Sequence, residues 1–247
     1  MKDININTIY IIGIGPGDIL MMTGEAIEAI KASDTIVGYP VYLKLVEELT
    51  AGKELIATPM KQEVERCRMA YEEAAKRKKV AVISSGDAGI YGMASLMYEL
   101  LPEHPGTELK VIAGITAANS GAAVLGAPLS GDFAVISMSD LLTPFELIEK
   151  RLKAAAEADM VIVLYNPASH KRKDYLKKAC DIVGNIIPSE RACGYVKNIG
   201  REGEEPVAIS FSELREAEVD MFTTVYIGNS NSFIQDGRMI TRRGYNI

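Results

Sequence analysis

The 247-residue chain is 48% hydrophobic and 24% charged, enough to bury one large domain or two small ones and unlike a disordered or fibrous chain. Its formal charge of -6 argues against nucleic acid as a partner, so any anionic small ligand must meet basic groups gathered locally; Lys61, Lys197, Arg201, Arg242 and Arg243 are the loop candidates. No run approaches the roughly 18 apolar residues of a membrane span and no charged region precedes an apolar signal core, so no membrane partner and a cytosolic location are expected.

The first half alternates β-rich runs with helical patterns, which predicts an α/β fold with a mainly parallel sheet. Strands are expected at 8–14, 35–38, 54–58, 80–84 and 110–112, and helices at 23–32, 41–49, 62–77, 92–101 and 117–125. In the third helix Val64, Cys67, Tyr71, Ala74 and Ala75 fall at near-helical spacing and predict its sheet-facing side. After Gly126-Ala127-Pro128 the strand share rises, with strands at 133–138, 160–165, 191–196, 206–211 and 223–227 and helices at 144–156 and 174–183. This predicts a second α/β domain with a mixed sheet, the two domains spanning 1–127 and 128–247. The polar tail Arg242-Arg243-Gly244-Tyr245 reads as an arm over a neighbour or a substrate.

Cys67, Cys180 and Cys193 have no metal or redox spacing and read as reduced thiols. His104 and His170 are the only histidines, too few for a zinc site or a His-based triad, so no metal is expected.

Gly13-Ile14-Gly15-Pro16-Gly17-Asp18 follows the first strand, where a dinucleotide fingerprint would lie. The fingerprint needs glycine where Asp18 stands; that carboxylate repels a diphosphate, and Pro16 removes a backbone donor. The loop is therefore a ligand-facing turn of another kind, and a nicotinamide-dependent oxidoreductase is disfavoured. Ser84 to Gly92 follows the fourth strand, with small residues that let backbone approach a ligand. Asp87 there reads two ways, as an acceptor for hydroxyl or ammonium donors or as a helix N-cap. Thr116, in Ala113 to Asn119, is either a cap or a ligand contact. Tyr165-Asn166-Pro167 ends the strongest strand of the second half. All four loops sit at carboxyl ends of strands, where open α/β sheets bind ligands.

Taken together, Gly13 to Asp18, Ser85 to Gly92 and Gly114 to Asn119 resemble the tetrapyrrole methyltransferases, the class III S-adenosylmethionine-dependent enzymes of corrin and sirohaem synthesis. Gly126 to Ser130, Ser139 to Pro144, Tyr165 to Pro167 and Thr223 to Ser230 are similar to the branch that methylates C17 in cobalamin synthesis. The resemblance implies two α/β domains of the tetrapyrrole methylase fold with S-adenosylmethionine, which leaves as S-adenosylhomocysteine, in a cleft between them. It also implies a homodimer and a tetrapyrrole substrate. Cofactor contacts carried over are Ile14, Asp87, Ile90, Thr116 and Ala117, then Tyr165, Gly194 and Thr224. Gly15, Pro16 and Gly17 would line the tetrapyrrole trough with Ser130, and Arg201, Arg242 and Arg243 would form a basic rim for an acceptor with about eight carboxylates.

The resemblance implies methylation at C17 with ring contraction; the alternatives are another ring carbon or a carrier that kept the fold without the chemistry. Relatives carry Pro where this chain has Ala113 and His where it has Gly131. A proton-transfer role of that His would pass here to Ser130, Asp132 or water. For ring contraction Asp132, Tyr91 and Lys197 are the acid or base candidates.

Overall fold

Residues 7–169 and 171–246 are described by a computed structural model; His170 lies outside them. Their backbone divides into two compact units, Met1–Thr116 and Ala117–Ile247. The division falls before the expected boundary at 127/128, and helix 117–125 goes with the second unit.

In the first unit β1 (Asn7–Gly13), α1 (Gly24–Ala32), β2 (Thr35–Gly38), α2 (Pro40–Leu45), β3 (Glu54–Ala57), α3 (Glu63–Ala75), β4 (Val80–Ser84), α4 (Ala94–Leu100) and β5 (Thr107–Ile112) build a parallel sheet of order β3-β2-β4-β1-β5. The central strands β1, β2 and β4 are buried on both faces, so their apolar residues alternate between two cores, while the edge strands β3 and β5 are largely exposed. Ile9, Ile11, Val80 and Val82 pack with Cys67, Tyr71 and Met97. Ile12, Ile36, Ala81 and Ile83 pack with Ala26, Ile30 and Leu43 on the opposite face. Thr23 caps α1 by accepting from Ala26 N at 3.2 Å.

The predicted helix 41–49 is interrupted: α2 stops at Leu45 and a 3-10 turn, Glu47–Leu49, follows. The buried stripe of α3 is Arg66, Cys67, Ala70, Tyr71, Glu73 and Ala74. Val64 and Ala75 were expected on it and are exposed. At about 100° per residue both lie on the far margin of a stripe centred near Ala70.

The second unit comprises α5 (Ala117–Leu125), β6 (Gly126–Ala127), β7 (Phe133–Ser137), α6 (Phe145–Glu157), β8 (Val161–Tyr165), α7 (Tyr175–Val183), β9 (Ala192–Lys197), β10 (Glu205–Ser210), α8 (Phe211–Arg215), β11 (Thr223–Ile227), β12 (Ser232–Gln235) and β13 (Arg238–Thr241). Its main sheet, β10-β9-β11-β8-β7, is mixed as predicted: β7 and β8 are parallel and the other pairs antiparallel. One face packs on α6, α7 and α8, the other on α5. The hairpin β12–β13, with β6 beside β13, was not anticipated. Its turn signal is Asp236-Gly237, both at positive φ (51° and 71°). Helix α8 was also missed; its N-cap is Ser210, whose side chain accepts from Glu213 N in a capping box.

The three cysteines are buried, and burial pushes each thiol up to about 12. Because the thiolate is the reactive form, a thiol reagent at pH 8 is expected to label native protein at least about a hundredfold more slowly than a free thiol, and all three sites once guanidinium unfolds it. Fast labelling of the native protein would contradict this packing.

Candidate active site

The carboxyl edge of the first sheet is organised by three strand ends that touch backbone to backbone. Gly15 N donates to Gly86 O at 3.0 Å and Gly86 N to Gly15 O at 2.7 Å, both glycines at positive φ. A Cβ on Gly13 would lie 2.7 Å from both Gly114 N and Gly86 O, and one on Gly114 would run into Gly86 O. Side chains are excluded where β1, β4 and β5 end.

Asp87 completes the junction. Its Oδ1 accepts from Gly89 N at 2.8 Å and its Oδ2 from Gly114 N at 2.9 Å, tying the β4 loop to the β5 loop. It does not cap α4, whose N-cap position is Met93. Asp18 accepts from Leu20 N at 2.8 Å and caps the 3-10 turn Ile19–Met21, which accounts for a carboxylate where a phosphate loop would have glycine.

Gly15, Pro16 and Gly17 are buried, and the Ile14 side chain, 2% exposed, belongs to the core beside α1. The loops beyond the junction expose apolar groups instead: Leu20, Met60, Ile90, Tyr91 and Ile115. Tyr91 is 60% exposed with φ of +54°, a conformation costly for an aromatic residue. Thr116 is half-buried next to this edge.

In the second unit Tyr165, Gly194 and Thr224 occupy strand positions on the face that α5 covers, with Val163, Val196 and Tyr226. The Tyr165 hydroxyl accepts from Ala118 N at 2.7 Å, and the Tyr226 hydroxyl donates to the carbonyls of Ala117 and Ala118 at 3.0 and 2.9 Å. Two tyrosines thus hold the first turn of α5. Burial raises the Tyr226 pKa, which keeps its hydroxyl a donor. Gly121 leaves room for that hydroxyl, and Gly194 for Leu125, whose methyls would be 2.9 and 3.0 Å from a Cβ there.

The acid and base candidates fall in both units. Lys197 lies on the strand's other face, 3.5 Å from Glu205 and 5.4 Å from the Tyr195 ring centroid. Asp132 is exposed at the entry to β7, and Tyr91 belongs to the first unit. Ser130 donates to the carbonyl of Thr241 and serves to anchor its loop to β13. Nothing lies within 4 Å of a Cβ on Gly131, so the missing side chain is not a matter of space.

Arg201 lies 5.5 Å above the Phe222 ring and Arg242 4.2 Å above that of Phe233, while Arg242 N donates to Asn231 O and Arg243 is exposed. Two features escaped the sequence reading. Arg66 is buried within α3, for which the only signal was an arginine inside the apolar stripe. Asp140 accepts from the Tyr175 hydroxyl at 2.6 Å and pairs with Arg172 Nε at 2.6 Å, joining the loops after β7 and β8. Leu142, 97% exposed, sits beside it in sequence.

This fold, with glycine-lined turns at the sheet's carboxyl edge, is that of a known family. The tetrapyrrole (corrin/porphyrin) methylase family matches residues 8–215, and the chain belongs to it. It is 47% identical over 238 residues, 96% of this chain and 99% of the relative, to the probable cobalt-factor III C(17)-methyltransferase of Salmonella typhimurium. It is 35% identical over 237 residues, 94% and 93% of the two chains, to the precorrin-3B C(17)-methyltransferase of a Sinorhizobium species. Among solved structures it is similar to the methyltransferase CobJ, with a TM-score of 0.88, 34% identity and coverage of 96% of this chain and 100% of that one.

Replacing Asp87 with Ala removes two charge-assisted bonds to backbone N–H groups and is expected to cost about 2–4 kcal/mol in a denaturant titration, with Asn recovering part of it. The Tyr175 hydroxyl, and then Arg172, hold the Asp140 carboxyl below its ordinary range against the opposing effect of burial. A depressed folded-state value contributes stability above the ordinary carboxylate range and loses it as pH falls through the folded value. Asp140→Asn is therefore expected to cost about 1–2 kcal/mol at pH 7, with the gap closing in acid melts. A gap that persists in acid would show that Asp140 acts by shape alone.

Proposed function

We propose that this chain transfers a methyl group from S-adenosylmethionine to C17 of a cobalt-factor III or precorrin-3B type tetrapyrrole, with ring contraction, in corrin synthesis. The observation that carries the reading is the near-complete alignment with C17-methyltransferases, joined to an exposed apolar edge formed by Leu20, Met60, Ile90, Tyr91 and Ile115. A macrocycle has the flat apolar face to cover such an edge. The higher identity to the cobalt-factor III relative favours an acceptor that already holds cobalt.

The residues assigned to the methyl donor fit its chemistry. Asp87, Thr116, Tyr165 and Thr224 offer carboxylate and hydroxyl oxygens and Ile90 an exposed apolar surface, with no Lys or Arg among them. That suits a cationic ligand with ribose hydroxyls and no phosphate. Ala117 contributes backbone at the start of α5, and Ile14 and Gly194 support the site through packing rather than exposed side chains. The donor supplies an electrophilic methyl group on sulfonium.

The acceptor is itself an electron-rich carbon nucleophile, so the chain's task in that step is to position it and exclude water. The glycine junction fixes the loops that do so. Gly15, Pro16 and Gly17 act as the rigid base of the trough, and Ser130 holds its own loop in place. Ring contraction moves protons, and Asp132, exposed beside the open space at Gly131, is the group we assign to it ahead of Tyr91 and Lys197. Arg201, Arg242 and Arg243 meet the acidic arms, the first two braced on aromatic rings. The reading includes a homodimer working in the cytosol; among the described residues no helix is long and apolar enough to cross a membrane.

The test is incubation with cobalt-factor III and donor labelled with carbon-13 in the methyl group. The label is expected at C17 of a ring-contracted product, and Arg201→Glu is expected to raise the acceptor KM by about tenfold. Label at another ring carbon would reassign the chain within the family. Binding of both ligands without turnover would make it a carrier.

A further inference from the structure

Arg66 is a buried charge that the site described above does not use. It is 5% exposed, on the stripe of α3 that faces the sheet. Nε donates to Thr58 Oγ1 at 2.8 Å, and Nη2 donates to the carbonyls of Thr58 and Pro59, each at 3.1 Å. Nη1 reaches only Met93 Sδ, at 3.7 Å. A guanidinium has five N–H donors, and a thioether is a weak acceptor, so the side turned toward Met93 is poorly satisfied. Among the described residues no carboxylate lies within 4.0 Å of Arg66; the ion pair at the other end of α3 joins Glu73 to Lys76 and Lys78. Buried charges are ordinarily paired, so a guanidinium with no carboxylate in direct contact among the described residues is unusual.

The partners of Arg66 give the charge a place. Thr58 and Pro59 open the β3–α3 loop, which continues to the exposed Met60 and to Lys61 at φ of +68°. Met93 closes the β4–α4 loop, which carries Ile90 and Tyr91. One side chain therefore fastens two loops of the apolar carboxyl edge. A neutral amide would serve as a clasp to carbonyls at lower desolvation cost. A charge adds to this clasp a preference for an anionic ligand at the same edge.

We propose that Arg66 is a positioning residue for the acceptor: it holds the loops at 58–62 and 85–93 against the macrocycle, and its charge favours an acceptor bearing carboxylates. The inference rests on the methyltransferase reading above. It assigns Arg66 no direct contact with the reacting atoms.

The experiment uses the full chain as wild type, Arg66→Lys, Arg66→Met and Thr58→Val, each checked by circular dichroism and melting. Steady-state KM is measured for cobalt-factor III and for S-adenosylmethionine, and Kd for an octacarboxylic porphyrin and for its methyl ester by fluorescence. Arg66→Met is expected to raise the acceptor KM and the Kd of the acid porphyrin by about tenfold while the donor KM and the ester Kd stay within about twofold. Arg66→Lys keeps the charge and is expected to recover most of that loss. Thr58→Val keeps the charge but loosens the clasp, and is expected to raise the acceptor KM about threefold.

A folded Arg66→Met protein with an unchanged acceptor KM overturns the proposal, as does an equal rise in both KM values, which would mean general loss of structure. Equal weakening of acid and ester porphyrin overturns the electrostatic part. Should Arg66→Met not fold, an unchanged acceptor KM in Thr58→Val overturns it instead. A wild-type chain that neither methylates nor binds any tetrapyrrole marks failure of the underlying reading, and the proposal falls with it.

Discussion

Three strand ends in the first unit meet at distances no side chain permits. Gly13, Gly86 and Gly114 pack backbone against backbone, and Asp87 fastens the arrangement by accepting from the N–H groups of Gly89 and Gly114. The strand order makes this necessary: from β1 the chain passes β4 to reach β2, and from β4 it passes β1 to reach β5. The two loops must therefore leave neighbouring strands in opposite directions, and the Gly15–Gly86 bridge is where they are joined. Nothing bulky fits at the junction, so the exposed apolar side chains of these loops lie further out, at Ile90, Tyr91 and Ile115. The turn that fails as a phosphate cradle ties two neighbouring loops together.

The second unit reaches a rigid local geometry by other means. Two tyrosine hydroxyls hold the first turn of α5, one accepting and one donating, and two glycines make room for the packing. Gly121 admits the Tyr226 hydroxyl and Gly194 admits Leu125. Tyr165 and Thr224 therefore sit on a face whose helix cannot shift without breaking hydrogen bonds to buried groups. In the same unit, the Asp140–Arg172–Tyr175 cluster fixes two loops after parallel strands with an ion pair and a hydrogen bond.

In an acidic protein the local surroundings of each cation decide where positive potential remains. Lys197 is engaged with Glu205, and Arg201 and Arg242 each lie over an aromatic ring that braces the guanidinium. Arg66 is the case in the interior, with carbonyls and a sulfur where a carboxylate would be usual. Net charge and local potential are thereby separated.

The α/β class, the parallel first sheet, the mixed second sheet and most strand positions were legible in the chain, because alternation of β-branched residues and glycine-rich turns are local signals. The small residues from Ser84 to Gly92 were also legible as a place of close backbone approach, though what approaches Gly86 was not: its neighbours are Gly13 and Gly114. Tertiary structure alone placed the Ile14 side chain in the core, gave Gly194 to Leu125 and turned Lys197 away from Tyr165 and Thr224, since strand register and helix docking decide which face a residue presents. It also decided that Asp87 is a clamp between two loops rather than a helix cap, and that Arg66 is buried without a carboxylate. Those outcomes depend on residues distant in sequence arriving at one point, which no local pattern encodes.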